Sequence, residues 1–375
     1  MKIAVTADLH LDPKYPERSH ALKDILLQLD AEGISDLLIA GDLFDKDGDD
    51  SAYPHLLDPC RAHPSIRLHV IPGNHDPEKS LRDVNADNFL KYLEPAVVDF
   101  QGFSMLFIPY RNGISMGDSL LAEKGRIGGG PWGFVGHGDF IEGQREPNPR
   151  EKGVYMPLKQ GDLNDSDLRQ VFLGHIHKPT PFQSSAVPKV IYPGSPQGLD
   201  VTESGPRRFL VYDTQSGEVT ERKVNCSLIY LNETILVVPS SREKEALLEE
   251  FNARLDMQNL TDGELREKTR LRLRVEGFAL DKDALVDSFS RELAECGVGL
   301  YEDSNPNFDG LLTASDPQKK ILALDALRNL DQLAAGTAEL FSGEVDDLSH
   351  WDFGGNEPTL EQVKMAALRA VYQAK

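Results

Sequence analysis

Lys2-Ile3-Ala4-Val5-Thr6-Ala7-Asp8-Leu9-His10 opens the chain with a short apolar run, Ile3 to Thr6, that ends on an aspartate and a histidine two positions apart. A run of this length bounded by polar residues predicts a buried strand. Its tip then offers one oxygen and one nitrogen donor, a mix that suits a divalent transition metal. Alone, the pair reads almost as well as a strand cap beside a surface histidine. Repetition separates the two readings, because Gly41-Asp42, Gly73-Asn74-His75-Asp76, Gly136-His137 and Gly174-His175-Ile176-His177 each follow an apolar run in the same way.

Working outward, Glu17 to Glu32 carries Leu22, Ile25, Leu26 and Leu29 on one stripe and predicts a helix that stops at Gly33. Asp36 to Ala40 is apolar after its first residue, the pattern of a strand covered on both faces. A helix over 52–63, interrupted by Pro59, and a strand from Ile66 to Ile71 complete β-α-β-α-β, the signature of a layered α/β fold. Short strands are then predicted at Val97–Asp99, Ser104–Ile108, Gly133–Val135, Gln170–Leu173, Val190–Tyr192, Phe209–Asp213 and Val219–Val224. The polar run from Ile141 to Asp167 reads as a long surface loop over the site.

Beyond a boundary near 225–232 a smaller α+β unit is expected. Its strands are predicted at Thr234–Val238, Thr269–Val275 and Val298–Tyr301, and its helices at Arg242–Leu255 and Lys282–Cys296. Two helical stretches follow, Lys319–Phe341 and Thr359–Gln373. The division expected is therefore 1–228, 229–312 and 313–375.

At 375 residues the chain has room for two domains and a well-buried core. No apolar run approaches membrane-spanning length, and a first strand beginning at residue 2 leads us to expect no signal peptide. Cys60, Cys226 and Cys296 are scattered without a CxxC pair, so a reducing cytoplasm is expected. The formal net charge of −21 argues against bulk attraction to nucleic acid, although carboxylates that hold metals count in that total.

Five of the ten histidines, His10, His75, His137, His175 and His177, fall at strand-end motifs, together with Asp8, Asp42 and Asn74. Ligands gather at the carboxyl ends of strands in open α/β sheets. The donors are too many for one ion and about right for two, which in a two-metal site lie roughly 3.5–4 Å apart and share an activated water. Asp42, alone at the tip of the most buried strand, is the expected bridge. The reaction class is phosphoester hydrolysis by in-line attack. His75 neighbours Asn74 and suits the general acid for the leaving oxygen, with Asp76 expected to orient it. His20, His55, His63, His69 and His350 read as packing or capping residues.

Taken in order, these five motifs resemble the calcineurin-like metallophosphoesterase superfamily over roughly residues 1–225. Asp8-Leu9-His10-Leu11, Gly174-His175-Ile176-His177-Lys178, Tyr192-Pro193-Gly194-Ser195 and Arg207-Arg208-Phe209 are similar to the SbcD-type nucleases of DNA double-strand-break repair. The resemblance implies a layered α/β metallophosphoesterase β-sandwich flanked by helices, a smaller α+β capping domain and a helical C-terminal tail. It implies that Asp8, His10, Asp42 and His177 bind a first ion, that Asp42, Asn74, His137 and His175 bind a second, and that both are Mn²⁺. His75 becomes the catalytic histidine. The implied activity is hydrolysis of DNA phosphodiesters by the nuclease subunit of a repair complex, with small phosphodiesters or nucleotides as the alternative substrate; a non-catalytic scaffold of the same fold is a third alternative, disfavoured because no ligand position is missing. The partners implied are DNA, an SMC-like coiled-coil ATPase and a second copy of the chain, with no membrane. In one departure Asp45 stands near the place of a histidine common in that branch, which bears on the preference for DNA ends and on exonuclease activity.

Arg270, Arg272 and Arg274 alternate with Leu271, Leu273 and Val275. This basic stripe is a candidate for phosphate-backbone binding, against the slightly favoured reading of a solvated sheet face. Arg145, Arg150, Lys152 and Lys159 in the long loop are open in the same way. Ile321, Leu324, Leu327, Leu330 and Leu333 recur at helical spacing and suit either the chain's own core or a partner helix equally.

Overall fold

The strand β2 (Asp36–Ala40) is buried at all five positions, and the sheet around it explains why. The computed structural model describes residues 1–45, 50–76, 78–141, 153–182, 187–301, 306–314, 319–335 and 360–373. They divide into two compact units, Met1–Ile229 and Tyr230–Lys375.

In the first unit β2 follows β1 (Lys2–Thr6) and α1 (Pro16–Glu32). After β2 come α2 (Tyr53–Ala62), β3 (Arg67–Ile71), α3 (Glu78–Asp83) and β4 (Phe89–Lys91). A second run comprises β5 (Ala96–Asp99), β6 (Ser104–Phe107), α4 (Met116–Glu123), β7 (Trp132–His137), β8 (Leu168–Gly174) and β9 (Val190–Ile191). β10 (Arg208–Asp213) and β11 (Val219–Lys223) close the unit. The strand orders are β11-β10-β1-β2-β3-β4 in one sheet and β5-β6-β7-β8-β9 in the other. β1 through β4 run parallel, as do β6 through β9, and β10 returns antiparallel beside β1.

One core cluster draws Ile3, Val5, Leu38 and Leu210 from the first sheet and Met105, Phe107, Val135 and Phe172 from the second. The sheets therefore face each other as a sandwich. α1 lays Leu22, Ile25, Leu26 and Leu29 on the outer face of this layer arrangement, all fully buried, and ends on Gly33 in the left-handed region at φ 67°. This unit is an α/β sandwich flanked by helices. β1, β2 and β3 in one sheet and β7 and β8 in the other carry the five motifs at their carboxyl ends.

The stretch expected to be a polar surface loop differs in part. Met156, Leu158 and Leu163 are buried in the second core cluster with Phe134 and Leu173, because backbone bonds between 139–141 and 155–158 pull the segment onto the sheet. Arg145, Arg150 and Lys152 lie outside the described residues, and Lys159 is exposed.

The second unit takes up β12 (Ile229–Val237), α5 (Glu243–Met257), β13 (Thr269–Ala279), α6 (Lys282–Cys296), β14 (Leu311–Thr313), α7 (Lys320–Ala335) and α8 (Leu360–Gln373). Its sheet has the order β12-β13-β14. The strand expected at Val298–Tyr301 is a single bridge, Leu271 to Leu300, and the third strand lies at β14 instead. α7 and α8 place Ala323, Leu368 and Tyr372 around Phe278 of β13, and the Phe278 and Tyr372 rings stack at 4.7 Å. Leu322 and Leu324 of α7 remain exposed. No described helix is long and apolar enough to cross a membrane.

Candidate active site

Parallel strands present their carboxyl ends on one side, so residues far apart in sequence meet there. Four of the described non-glycine residues with positive φ are Asp8 (54°), His10 (44°), Asp42 (50°) and His175 (97°). Such backbone is costly for side-chain-bearing residues and persists where the surroundings over-determine it. Here the chain bends sharply at each strand tip, and the bends are tied together: Asp8 N–H donates to Gly41 C=O at 3.0 Å and His10 N–H to Asp42 C=O at 3.0 Å. Gly41, at φ 88°, lies against the His137 ring and the Gly73 backbone with no room for a Cβ.

Asp8, His10, Asp42 and His177 bring one donor atom each to within 4.8 Å of all the others. His10 Nε2 and His177 Nε2 stand 3.1 Å apart. His177 Nδ1 lies 2.8 Å from Glu203 Oε1, and in the neutral tautomer that donates there Nε2 has a lone pair facing His10. Asp42 uses Oδ1 to accept from the His75 backbone N–H at 2.9 Å. Its Oδ2 lies 3.6 Å from His10 Nε2 and 3.4 Å from His137 Nε2, midway between two groups of donors. In the second group Asn74 Oδ1 is 2.8 Å from His137 Nε2 and 3.1 Å from His175 Nδ1.

This donor set fits a pair of divalent cations on two independent grounds. Asp8 Oδ2 is buried without a hydrogen-bond partner while Asp8 Oδ1 accepts from His175 N–H at 2.9 Å. Buried carboxylate oxygens are seldom left so. The protonation pattern says the same. Burial pushes the Asp8 carboxyl up to about 6 and drives His10 down to about 3 against the pull of Asp42. Burial also opposes charge on His137, yet the Asp42 carboxylate, with Asp8 beside it, carries that imidazole up to about 9. Asp42 is held well below the usual carboxylate range because His137 and His10 outweigh its burial. Without a metal, a proton on His137 stands where a cation would balance these carboxylates.

The outward nitrogens of three imidazoles face groups that the sequence alone did not single out, those of His137 and His177 at hydrogen-bond distance. His137 Nδ1 donates to Ala40 C=O at 2.8 Å. His175 Nε2 faces Asp139 Oδ1 at 3.5 Å, and Asp139 Oδ2 accepts from Tyr155 N–H at 2.8 Å. Glu203 Oε2 accepts from Ser195 Oγ (2.8 Å), Leu199 N–H (3.0 Å) and Arg207 (3.2 Å), which absorbs two motif residues, Ser195 and Arg207. Partners of this kind set the tautomer and the ring orientation of a metal-binding histidine.

The expectation for Asp76 is corrected. Its oxygens accept from the backbone N–H groups of Leu43 (3.0 Å), Phe44 (2.9 Å) and Gly73 (2.9 Å). It staples two strand-end loops and does not orient His75. The carboxylate near the His75 ring is Asp45, with Oδ1 4.0 Å from His75 Nδ1 and 4.0 Å from His10 Nδ1. Arg18 anchors it, reaching Asp45 Oδ2 at 2.9 Å and His10 C=O at 2.7 Å. His75 is among the more open of the site's side chains, at 18 % exposure.

Arg270, Arg272 and Arg274 belong to the second unit and bond locally. Arg270 donates to Thr269 C=O (2.8 Å), Arg272 to Asn232 Oδ1 (3.0 Å) and Arg274 to Thr234 Oγ1 (3.1 and 3.2 Å). Their alternation with buried Leu271, Leu273 and Val275 is a sheet's two faces.

A comparison with curated proteins finds no match. Among solved structures, the chain is similar to TT1561 of Thermus thermophilus at 13% identity over 60% of this chain and 99% of that one, with a TM-score of 0.39. Purple acid phosphatase PPD1 from yellow lupin seeds aligns at 13% identity over 61% of this chain and 52% of its own, TM-score 0.41. GAP50, described as the anchor in the inner membrane complex of Plasmodium, aligns at 14% over 60% and 89%, TM-score 0.39. Residues 1–179 match the calcineurin-like phosphoesterase family, and this stretch contains Asp8, His10, Asp42, Asn74, His75, His137, His175 and His177. Over that N-terminal segment the chain is similar to the calcineurin-like phosphoesterases, a likeness that, with the Asp8, His10, Asp42 and His177 cluster, supports a metal-dependent hydrolase of phosphoester bonds.

Proposed function

We propose that the chain is a two-metal phosphodiesterase with DNA as its substrate, working with Mn²⁺ as the nuclease subunit of a repair complex. The observation that carries the two-metal part is Asp42 Oδ2, placed between His10 Nε2 at 3.6 Å and His137 Nε2 at 3.4 Å. Asp8, His10, Asp42 and His177 would hold one cation, and Asp42, Asn74, His137 and His175 the other. When bound, the cations supply a nucleophilic water and neutralise charge on the phosphate oxygens. Glu203 and Asp139 keep the His177 and His175 rings turned inward. His75 holds a proton for the leaving oxygen, and Asp45 steadies the face of the site around it.

DNA is supported by the likeness of the motif set to the SbcD-type branch. That likeness also suggests docking of the tail on an SMC-like coiled-coil ATPase, a second copy of the chain as partner, and a cytoplasmic setting. Nucleotides or other small phosphodiesters are the second reading. It is favoured by the local engagement of Arg270, Arg272 and Arg274 and by a net charge of −21.

The test is incubation of purified protein and Mn²⁺ with linear duplex DNA, single-stranded DNA and bis(p-nitrophenyl) phosphate. Cleavage of DNA, abolished by chelation, supports the first reading. Turnover of the small diester without DNA cleavage selects the second. Replacing His75 by Ala is expected to slow the reaction by about 10²–10⁴-fold, and an unchanged rate removes His75 from the mechanism.

A further inference from the structure

Beside the metal-binding side chains lies a cleft of 620 Å³, and its floor includes Asn74 and His75. A phosphate group needs far less room. The volume is within the range of small-molecule sites, about 300–1,000 Å³. Tyr110 and Tyr155 form one wall, their rings 6.4 Å apart and tilted by 36°. Tyr155 also lies against the His175 ring at 4.8 Å, and Tyr110 meets the His137 ring edge-on at 6.1 Å. Ile114 and Val154, both exposed, stand on its lining. Among the described residues that line the cleft, none is a lysine, arginine, aspartate or glutamate. The polar groups it offers besides His75 are neutral, such as Asn112 and Ser115.

We propose that this cleft receives the leaving group of the ester, and that the group is an uncharged, ring-bearing alcohol of nucleoside size. The inference rests on the second reading above, that of small phosphodiesters, because a polynucleotide leaving group would carry further phosphates, and it names the substrate class for that reading. His75 gives direction. In hydrolysis the oxygen of water bonds to phosphorus and gives up a proton to solvent, the bond from phosphorus to the ester oxygen breaks, and that oxygen takes a proton from His75, which is reprotonated from solvent. The departing alcohol must therefore lie on the His75 side, where the cleft begins. Two tilted tyrosines suit a flat base, since aromatic side chains stack on any base face. Among the described residues of the lining there is no cationic partner for a second phosphate, which suits a single nucleoside.

Thymidine 5′-(methyl phosphate) tests this within one molecule, because either thymidine or methanol can leave. With Mn²⁺ the wild-type protein is expected to release free thymidine and methyl phosphate over methanol and thymidine monophosphate by about 10-fold or more, the worth of one stacked base. Val154→Trp, which fills the cleft from an exposed position, and Tyr110→Ala are each expected to bring the product ratio toward one. Saturation-transfer NMR on thymidine with the metal-free protein gives a second readout: transfer to the base protons is expected and is weakened by Val154→Trp. A product ratio favouring methanol, or a thymidine preference that survives both substitutions, overturns the proposal while leaving the phosphodiesterase reading in place. Failure to hydrolyse either this diester or bis(p-nitrophenyl) phosphate overturns the phosphodiesterase reading. In that case the binding measurement alone decides whether the cleft takes a nucleoside, and absence of transfer to thymidine overturns the cleft as well.

Discussion

Two aspartates bracket β2, Asp36 at its start and Asp42 just beyond its end, and they meet opposite fates. Asp36 accepts from Ser35 Oγ (2.8 Å), Arg67 (2.8 Å) and His69 Nε2 (2.9 Å). His69 Nδ1 in turn accepts from Tyr92 O–H at 2.8 Å. Every donor and acceptor around Asp36 is matched, although its carboxyl is buried. Asp42 is equally buried, but it sits among Asp8, His10 and His137, whose lone pairs and charges have no mutual solution without a cation or added protons. Both regions contain a buried aspartate and a buried histidine. The geometry of the partners, rather than the residue types, separates a structural cluster from one suited to metal ions.

The sharpest way to break this contrast is to neutralise each aspartate. With Asp42→Asn, kcat/KM for bis(p-nitrophenyl) phosphate in Mn²⁺ is expected to fall by about 10³-fold or more, the cost of losing several kcal/mol of charge stabilisation. The rise in melting temperature on adding Mn²⁺ should disappear with it. Preserved activity would show that Asp42 is not shared between cations. Asp36→Ala should do the reverse. It leaves His69 and Arg67 without their carboxylate, and urea unfolding is expected to show a loss of about 3–5 kcal/mol, with Mn²⁺ affinity at the wild-type value.

Glu203→Gln sharpens the same contrast at the edge of the metal-binding cluster. It keeps the size of the side chain and removes the charge that holds His177, so calorimetry is expected to show Mn²⁺ affinity lower by about 10–100-fold. An unchanged affinity would make Glu203 a packing residue only.

The smallest effect is in pH. Burial raises the Asp36 carboxyl, but its bonds to His69, Arg67 and Ser35 outweigh that and hold it at about 2, against an ordinary 3.8. A carboxylate depressed on folding contributes stability that is complete above its unfolded value and is lost as pH falls toward the folded one. Wild type is therefore expected to lose about 2 kcal/mol more than Asp36→Asn between pH 5 and pH 2. Parallel acid titrations of the two proteins would contradict this.

Much of the site was legible because each donor follows its strand within a few residues. An apolar run and the polar residues after it are local facts, and parallel strands have only one end at which to place them. The five bland histidine readings hold where they can be checked: His69 bonds Asp36 and Tyr92, His63 bonds Asp30, and His20 meets Ser227. Asp76 defeats a reading that takes neighbours in sequence for neighbours in space, since its side chain turns back to the 43–44 backbone. Glu203 lies 26 residues from His177 and follows no strand, so nothing local marks it. Asp139 is visible only once Tyr155 folds over β7 and β8.

Sequence alone determined the alternation of buried strands and amphipathic helices, and with it which side chains reach the strand tips, because backbone periodicity couples position to direction. Which of those side chains meet in one cluster of candidate metal ligands, which carboxylate stands beside which imidazole, and that Tyr110 and Tyr155 line one cleft were decided only by the packing of two sheets. Those relations depend on distances between segments, and distances between segments are settled by the whole core at once.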